Sequence, residues 1–189
     1  NKIKIKNNES PKLKLLAVGR IHPQKNFLEL IKAIKIINNK NISLDIIGAP
    51  QDREYFKLCN NFISENKLSN INLLGRMNKD KVIKMYPQYD LFCMPSIVEG
   101  VSMALIEAAS FGLPSIITNG VGNYLEIIED NAGLITSKYS SDIANTILKI
   151  HRNENLLNLL KRNAYYSSIR RYNINIIGDK LMQEYKKII

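Results

Sequence analysis

Cysteine and histidine are scarce in this 189-residue chain, with two of each, and the apolar runs are short. Cys59 and Cys93 fit no metal or redox spacing, and two thiols without a disulfide framework suit a reducing compartment. Cys59 falls in a helical pattern and Cys93 in an apolar strand, so both read as buried thiols. His22 lies in a loop and His151 late in a helix, and neither has the partner a catalytic base needs. No cluster of His, Cys and carboxylates has metal-ligand spacing, so neither metal nor cofactor is implied. Gly120-Val121-Gly122 follows a strand, but Leu125 stands where a dinucleotide fingerprint needs its third glycine, which argues against a nicotinamide site. No apolar run approaches the ~20 residues of a membrane span, and no apolar leader opens the chain. The first residue is Asn1 rather than Met, which reads as a fragment of a larger protein.

What is present is an apolar, basic chain. Hydrophobic residues make up 45%, enough for one sizeable core. The net charge of +10 is unevenly spread. Residues 1–14 carry +4 and residues 152–189 carry +5, leaving +1 for all that lies between. The basic ends read as solvated surface or as a site of attraction to anionic lipid or to another domain. Nucleic acid is disfavoured, because aromatic residues are not interleaved with the basic ones as a stacking platform requires.

Short apolar runs alternate with helical periodicity. Strands are expected at 13–18, 43–47, 70–74, 90–94, 114–118 and 133–135. Helices are expected at 27–37, 52–66, 79–86, 101–111, 124–128, 141–150, 155–166 and 174–188. Continuous apolar strands suit a parallel sheet covered on both faces. The fold class is therefore α/β: a doubly wound, Rossmann-like parallel sheet with extra C-terminal helices. Ligands in such folds bind beyond the carboxyl ends of the strands. Gly19, Gly48, Gly75, Glu99 and Asn119 each follow a strand and gather on that edge.

The stretch from Ser96 to Ala108 carries the most information. Glu99 stands at a strand tip, Gly100 is expected to open a helix, and Glu107 lies two turns in. A helix start attracts anions through its free N–H groups and its dipole. A carboxylate beside that start repels phosphate and suits neutral hydroxyls, so the pattern fits a sugar nucleotide. Arg20 and Lys25 flank a strand-to-helix loop, where two cations can neutralise a departing diphosphate. Each has a plainer reading: surface charge for Arg20 and Lys25, helix capping for Glu99, and an exposed helix position for Glu107.

These stretches resemble, in order, the motifs of the family 4 retaining glycosyltransferases, which have two Rossmann-like domains (the GT-B fold). Val18 to Asn26 resembles the phosphate loop, with Asn26 in place of a frequent glycine. Leu73-Leu74-Gly75-Arg76 resembles the base-edge turn. Tyr89 to Glu107 resembles the glutamate–seven–glutamate motif and the strand before it. Gly112 to Ile117 and Glu126 to Ile128 resemble the segments that follow. The resemblance covers roughly residues 13–136 and implies the C-terminal, donor-binding half of such an enzyme.

That resemblance implies catalytic roles for Arg20, Lys25 and Glu99, with Glu99 on the donor sugar. It implies substrate binding by Gly19, Arg76, Gly100, Val101, Ser102 and Glu107. Glu107 would hold ribose, and the Gly100, Val101 and Ser102 amides the distal phosphate. Arg76 would line the base unless it is simply solvated, with Met77 at the base edge. Val101 stands where the family often has an aromatic residue. Residues 1–12 are expected to be a linker or tail, 13–170 the donor domain, and 171–189 a helix packing toward an absent N-terminal domain. The implied partners are a nucleoside diphosphate sugar, a glycan or lipid-linked acceptor held by the missing domain, and an anionic membrane surface. The implied place is the cytoplasm, at the inner face of the membrane. The rivals are a sugar-nucleotide epimerase or glycan phosphorylase of the same fold, and a noncatalytic nucleotide-sugar or membrane-binding module.

Overall fold

A computed structural model describes residues 12–187. The expected tail, except Lys12, and the last two residues of the chain lie outside the described residues. Six strands form one parallel sheet: β1 (Leu13–Val18), β2 (Ile42–Ile47), β3 (Ile71–Gly75), β4 (Leu91–Met94), β5 (Ser115–Thr118) and β6 (Gly133–Thr136). Their order is β3-β2-β1-β4-β5-β6. The chain builds outward from β1 to β3, then crosses back to lay β4 against the other side of β1. The order therefore reverses between β1 and β4, and a crevice is expected above that reversal.

Eight helices complete the described fold: α1 (Phe27–Ile37), α2 (Arg53–Glu65), α3 (Lys79–Met85), α4 (Met103–Ser110), α5 (Tyr124–Glu129), α6 (Ser140–His151), α7 (Glu154–Tyr172) and α8 (Ile174–Lys186). Successive strand residues point to opposite faces. Leu13, Leu15 and Ala17 of β1 join one core cluster with α1 and α6. Leu16 joins a second cluster with Phe92, Met94, Leu105 and Ile117. Both faces are buried, which is why the strands read as continuous apolar runs. Cys59 and Cys93 are buried free thiols. Burial pushes Cys59 up to about 11 and Cys93 up to about 12, so both stay protonated near neutral pH.

Two helices differ from expectation. Helix α4 begins at Met103 rather than at residue 101, because Ser102 is its N-cap and accepts from the Leu105 N–H at 3.4 Å. Gly100 therefore does not open the helix but lies in the loop before it, and Glu107 is little more than one turn in. Val101, whose apolar side chain suggested an earlier start, is exposed. At the other end the expectation holds: Gly112 takes φ 73°, the left-handed conformation that ends helices.

Helix α7 runs six residues past the expected end at 166, to Tyr172. Apolar periodicity fades there, and polar bonds hold the last turns instead. Asp130 accepts from the Ser167 hydroxyl and from the Arg170 and Arg171 guanidinium groups. The Arg171 contact is the main cause that draws the Asp130 carboxyl down to about 2 from an ordinary 3.8. A carboxylate lowered on folding stabilises the fold above its unfolded value, and that gain disappears as pH falls through the folded value. Melting temperature is therefore expected to fall between pH 5 and pH 2, and less steeply in Asp130→Asn. Equal slopes for the two proteins would show that this cluster does not anchor α7.

Candidate functional site

The loop after β1 runs Gly19-Arg20-Ile21-His22. It enters a short 3-10 turn, Pro23–Lys25, in which His22 Nδ1 accepts from the Gln24 N–H at 3.3 Å. His22 thus has a local structural task. Asn26 follows with φ 58° and ψ 29°, in the left-handed region that glycine, asparagine and aspartate tolerate best. Asparagine can therefore stand where the resemblance expects a glycine. The Asn26 amide also donates to the Lys138 carbonyl at 2.8 Å.

Lys25 is buried, with only 8% of its surface exposed. Its stem lies over Gly19, where an added Cβ would come within 3.2 Å of Lys25 Cε. Its ammonium reaches across the strand reversal and bonds Glu99 Oε2. The Glu99 loop is tied to its surroundings by backbone bonds. The Ile97 N–H donates to the Gln24 carbonyl at 2.8 Å, joining the β1 and β4 loops directly. The Glu99 N–H donates to Gly120 O at 2.8 Å, and the Gly122 N–H donates to Glu99 O at 2.9 Å. The Thr118 hydroxyl donates to the Ser96 carbonyl.

This close approach explains the paired glycines. A Cβ at Gly120 would lie 2.1 Å from the Ile97 carbonyl oxygen, and one at Gly122 would lie 2.9 Å from the Gly100 carbonyl carbon. Two glycines after a strand that fail the dinucleotide spacing thus signal a neighbouring loop pressed against them.

Glu107, on α4, is half-buried rather than a freely solvated helix position. Its Oε2 accepts from the Tyr86 hydroxyl at 3.2 Å, and its Oε1 lies 3.2 Å from Lys79 Nζ. Tyr86 is fully buried and stacked on Phe111 with ring centroids 5.6 Å apart. Burial, and secondarily the Glu107 carboxylate, push the Tyr86 hydroxyl up, so it remains a donor. Tyr86 and Lys79 went unnoticed in the sequence, since contacts between α3 and α4 depend on how the two helices dock. Arg20, Gly100 and Val101 are exposed on the same edge, while Ser102 is buried as the helix cap. Gly75 takes φ 71°, and Arg76 after it is exposed beyond β3. Met77 packs against the core cluster that includes Val82 and Tyr86. Among the described residues no group of His, Cys, Asp and Glu could hold a metal ion. No described helix is long and apolar enough to cross a membrane.

The arrangement puts the Lys25 ammonium against the Glu99 carboxylate above the strand reversal, with a second carboxylate, Glu107, on α4 just beyond that loop. It can bind a phosphate and several hydroxyl groups together. Comparison with known proteins identifies the family. The chain is 35% identical over 151 residues to an uncharacterised glycosyltransferase of Methanocaldococcus jannaschii, covering 79% of this chain and 41% of that one. It is 28% identical over 177 residues to the UDP-Gal:alpha-D-GlcNAc-diphosphoundecaprenol alpha-1,3-galactosyltransferase of Escherichia coli, covering 89% and 44% respectively. The chain thus spans less than half the length of these relatives. Among solved structures, the C-terminal domain of a group 1 glycosyl transferase (LpcC) from Francisella tularensis superposes with a TM-score of 0.76 at 22% identity, covering 87% of this chain and 88% of that one. HepE of Anabaena, in complex with UDP and glucose, superposes with a TM-score of 0.81 at 18% identity, covering 93% and 48%. The family model described as Glycosyl transferases group 1 matches residues 1–167, and the chain belongs to that family.

Proposed function

We propose that this chain is the donor-binding half of a retaining glycosyltransferase. It takes a nucleoside diphosphate sugar whose sugar passes to a glycan or lipid-linked acceptor held by a second domain. The observation that carries this reading is the meeting of Lys25 and Glu99 across the β1–β4 reversal. A cation for diphosphate and an acceptor for sugar hydroxyls lie there side by side. Arg20 and Lys25 stabilise charge on the departing diphosphate, where electrostatic assistance counts most. Glu99 accepts from sugar hydroxyls, and Glu107, steadied by Tyr86, accepts from ribose. Gly100 and Val101 face the distal phosphate from the head of α4, and Gly75-Arg76 borders the base.

Retention of configuration rests on the likeness to family 4 in the motif from Glu99 to Glu107. A nucleotide donor agrees with HepE, whose structures hold UDP or UDP-glucose. A lipid-linked acceptor agrees with the name of the Escherichia coli relative. Such an acceptor would bring the enzyme to a membrane, and the basic ends of this chain favour an anionic surface.

Calorimetric titration of this chain with UDP and with GDP tests the reading. Binding in the micromolar to millimolar range is expected for at least one of them. Absence of both heat and thermal shift at millimolar nucleotide would reject the donor role.

A further inference from the structure

We propose that Glu99 competes with the donor diphosphate for Lys25, so that the site prefers a sugar-loaded donor over the sugar-free nucleoside diphosphate. This rests on the donor-binding reading above and adds a specificity device to it. The Lys25 ammonium is engaged by Glu99 Oε2. The side chains are only 11% and 24% exposed, so water screens this pair less than a surface ion pair. The Lys25 stem lies over Gly19, and the loop that carries Glu99 is held by backbone bonds to Gly120 and Gly122.

A phosphate arriving at Lys25 therefore meets a carboxylate already in place. Taking Lys25 leaves Glu99 without its cation in a partly buried site, which is costly. The two kinds of ligand differ in what they offer in exchange. A sugar nucleotide supplies hydroxyl donors to Glu99 as its diphosphate takes the ammonium, so both groups end up paired. A bare nucleoside diphosphate supplies none, and its free terminal phosphate carries about −1.5 to −2 at neutral pH, more charge than when esterified to a sugar. Glu99 then repels it. Once the sugar has left, the same carboxylate reclaims Lys25 and favours release of the product.

A sugar contact alone would leave the affinity of Glu99→Gln for UDP unchanged, whereas competition for Lys25 raises it. Calorimetry with UDP and UDP-glucose on the wild-type chain, Glu99→Gln, Lys25→Gln and the double variant separates these. GDP and GDP-mannose replace them if UDP gives no heat. Glu99→Gln is expected to bind UDP about tenfold tighter, the scale of one competing charge-assisted hydrogen bond. Its affinity for UDP-glucose should not rise with it, so the preference for the sugar-loaded form shrinks about tenfold. In the Lys25→Gln background the Glu99 change should give no gain, including no detectable binding by either protein. Unchanged or weaker UDP binding by a Glu99→Gln chain that melts like wild type overturns the proposal. So does an equal gain with Lys25 absent, which would mean direct repulsion only. If Glu99→Gln melts early, Glu99→Ala takes its place under the same criteria. Wild-type chain that binds neither nucleotide would reject the donor reading itself and this proposal with it.

Discussion

Arg20→Ala and Lys25→Ala, made in the full-length protein, are each expected to slow sugar transfer by roughly 30- to 1,000-fold. That corresponds to the loss of about 2–4 kcal/mol of transition-state stabilisation, typical for one removed electrostatic donor. Donor affinity should fall by a smaller factor, because the charge they neutralise grows as the bond to the diphosphate breaks. The two variants should differ in stability. Arg20 is exposed, so its removal should leave the melting temperature nearly unchanged. Lys25 is buried and paired, so its removal strands Glu99 and should lower melting as well as turnover. Initial rates with saturating donor, set beside donor dissociation constants, separate chemistry from binding. Turnover close to wild type in both variants would show that these cations do not serve the leaving group.

The four charged residues of the site were legible because each occupies a position with local meaning: a loop after a strand, or a helix just beyond one. What joins them was not. Lys25 and Glu99 are 74 positions apart, and their contact requires β1 and β4 to be neighbours. Strand periodicity reveals that a strand exists and nothing about its place in the sheet. Likewise Glu107 reads as a partly apolar helix position, while its anchoring by Tyr86 and Lys79 comes from the docking of α3 on α4. The start of α4 was misjudged for a local reason. Val101 fits helical spacing, yet a serine at the next position is the stronger boundary signal. The end of α7 was hidden because Ser167, Arg170 and Arg171 carry no apolar periodicity. Asp130, which holds them, is about 40 residues away and was visible only as a loop residue.

Gly48 shows how far the site depends on residues that touch no ligand, and Gly48→Ala is expected to be among the most damaging substitutions in the chain. Pairing continues past the ends of β1 and β2, to each other and to β3. Gly19 N–H donates to Ile47 O at 2.9 Å, Gly48 N–H to Gly75 O at 2.9 Å, and Ile21 N–H to Ala49 O at 2.8 Å. This pairing draws Gly48 so close to Gly19 that a Cβ would stand 1.7 Å from the Gly19 carbonyl oxygen. The obstacle is backbone on both sides, so no side-chain rotation relieves it. Either the loop holding Arg20 and covering Lys25 shifts, or the hydrogen bonds beyond β1 and β2 break. A cost of about 3 kcal/mol, the upper end of the usual range for overpacking, follows, which in a chain of this size lowers the melting temperature by about 10 °C. Nucleotide affinity should fall with it, since the displaced loop positions the phosphate cations. Gly178→Ala is the matching control. Gly178 lies within α8 with nothing near its absent Cβ, and alanine there should raise helix stability by roughly 0.5–1 kcal/mol. Thermal melts of the two variants should move in opposite directions. A Gly48→Ala protein that melts within about two degrees of wild type and binds nucleotide normally would mean that the Gly19 loop yields freely, and that its geometry does not hold the site in place.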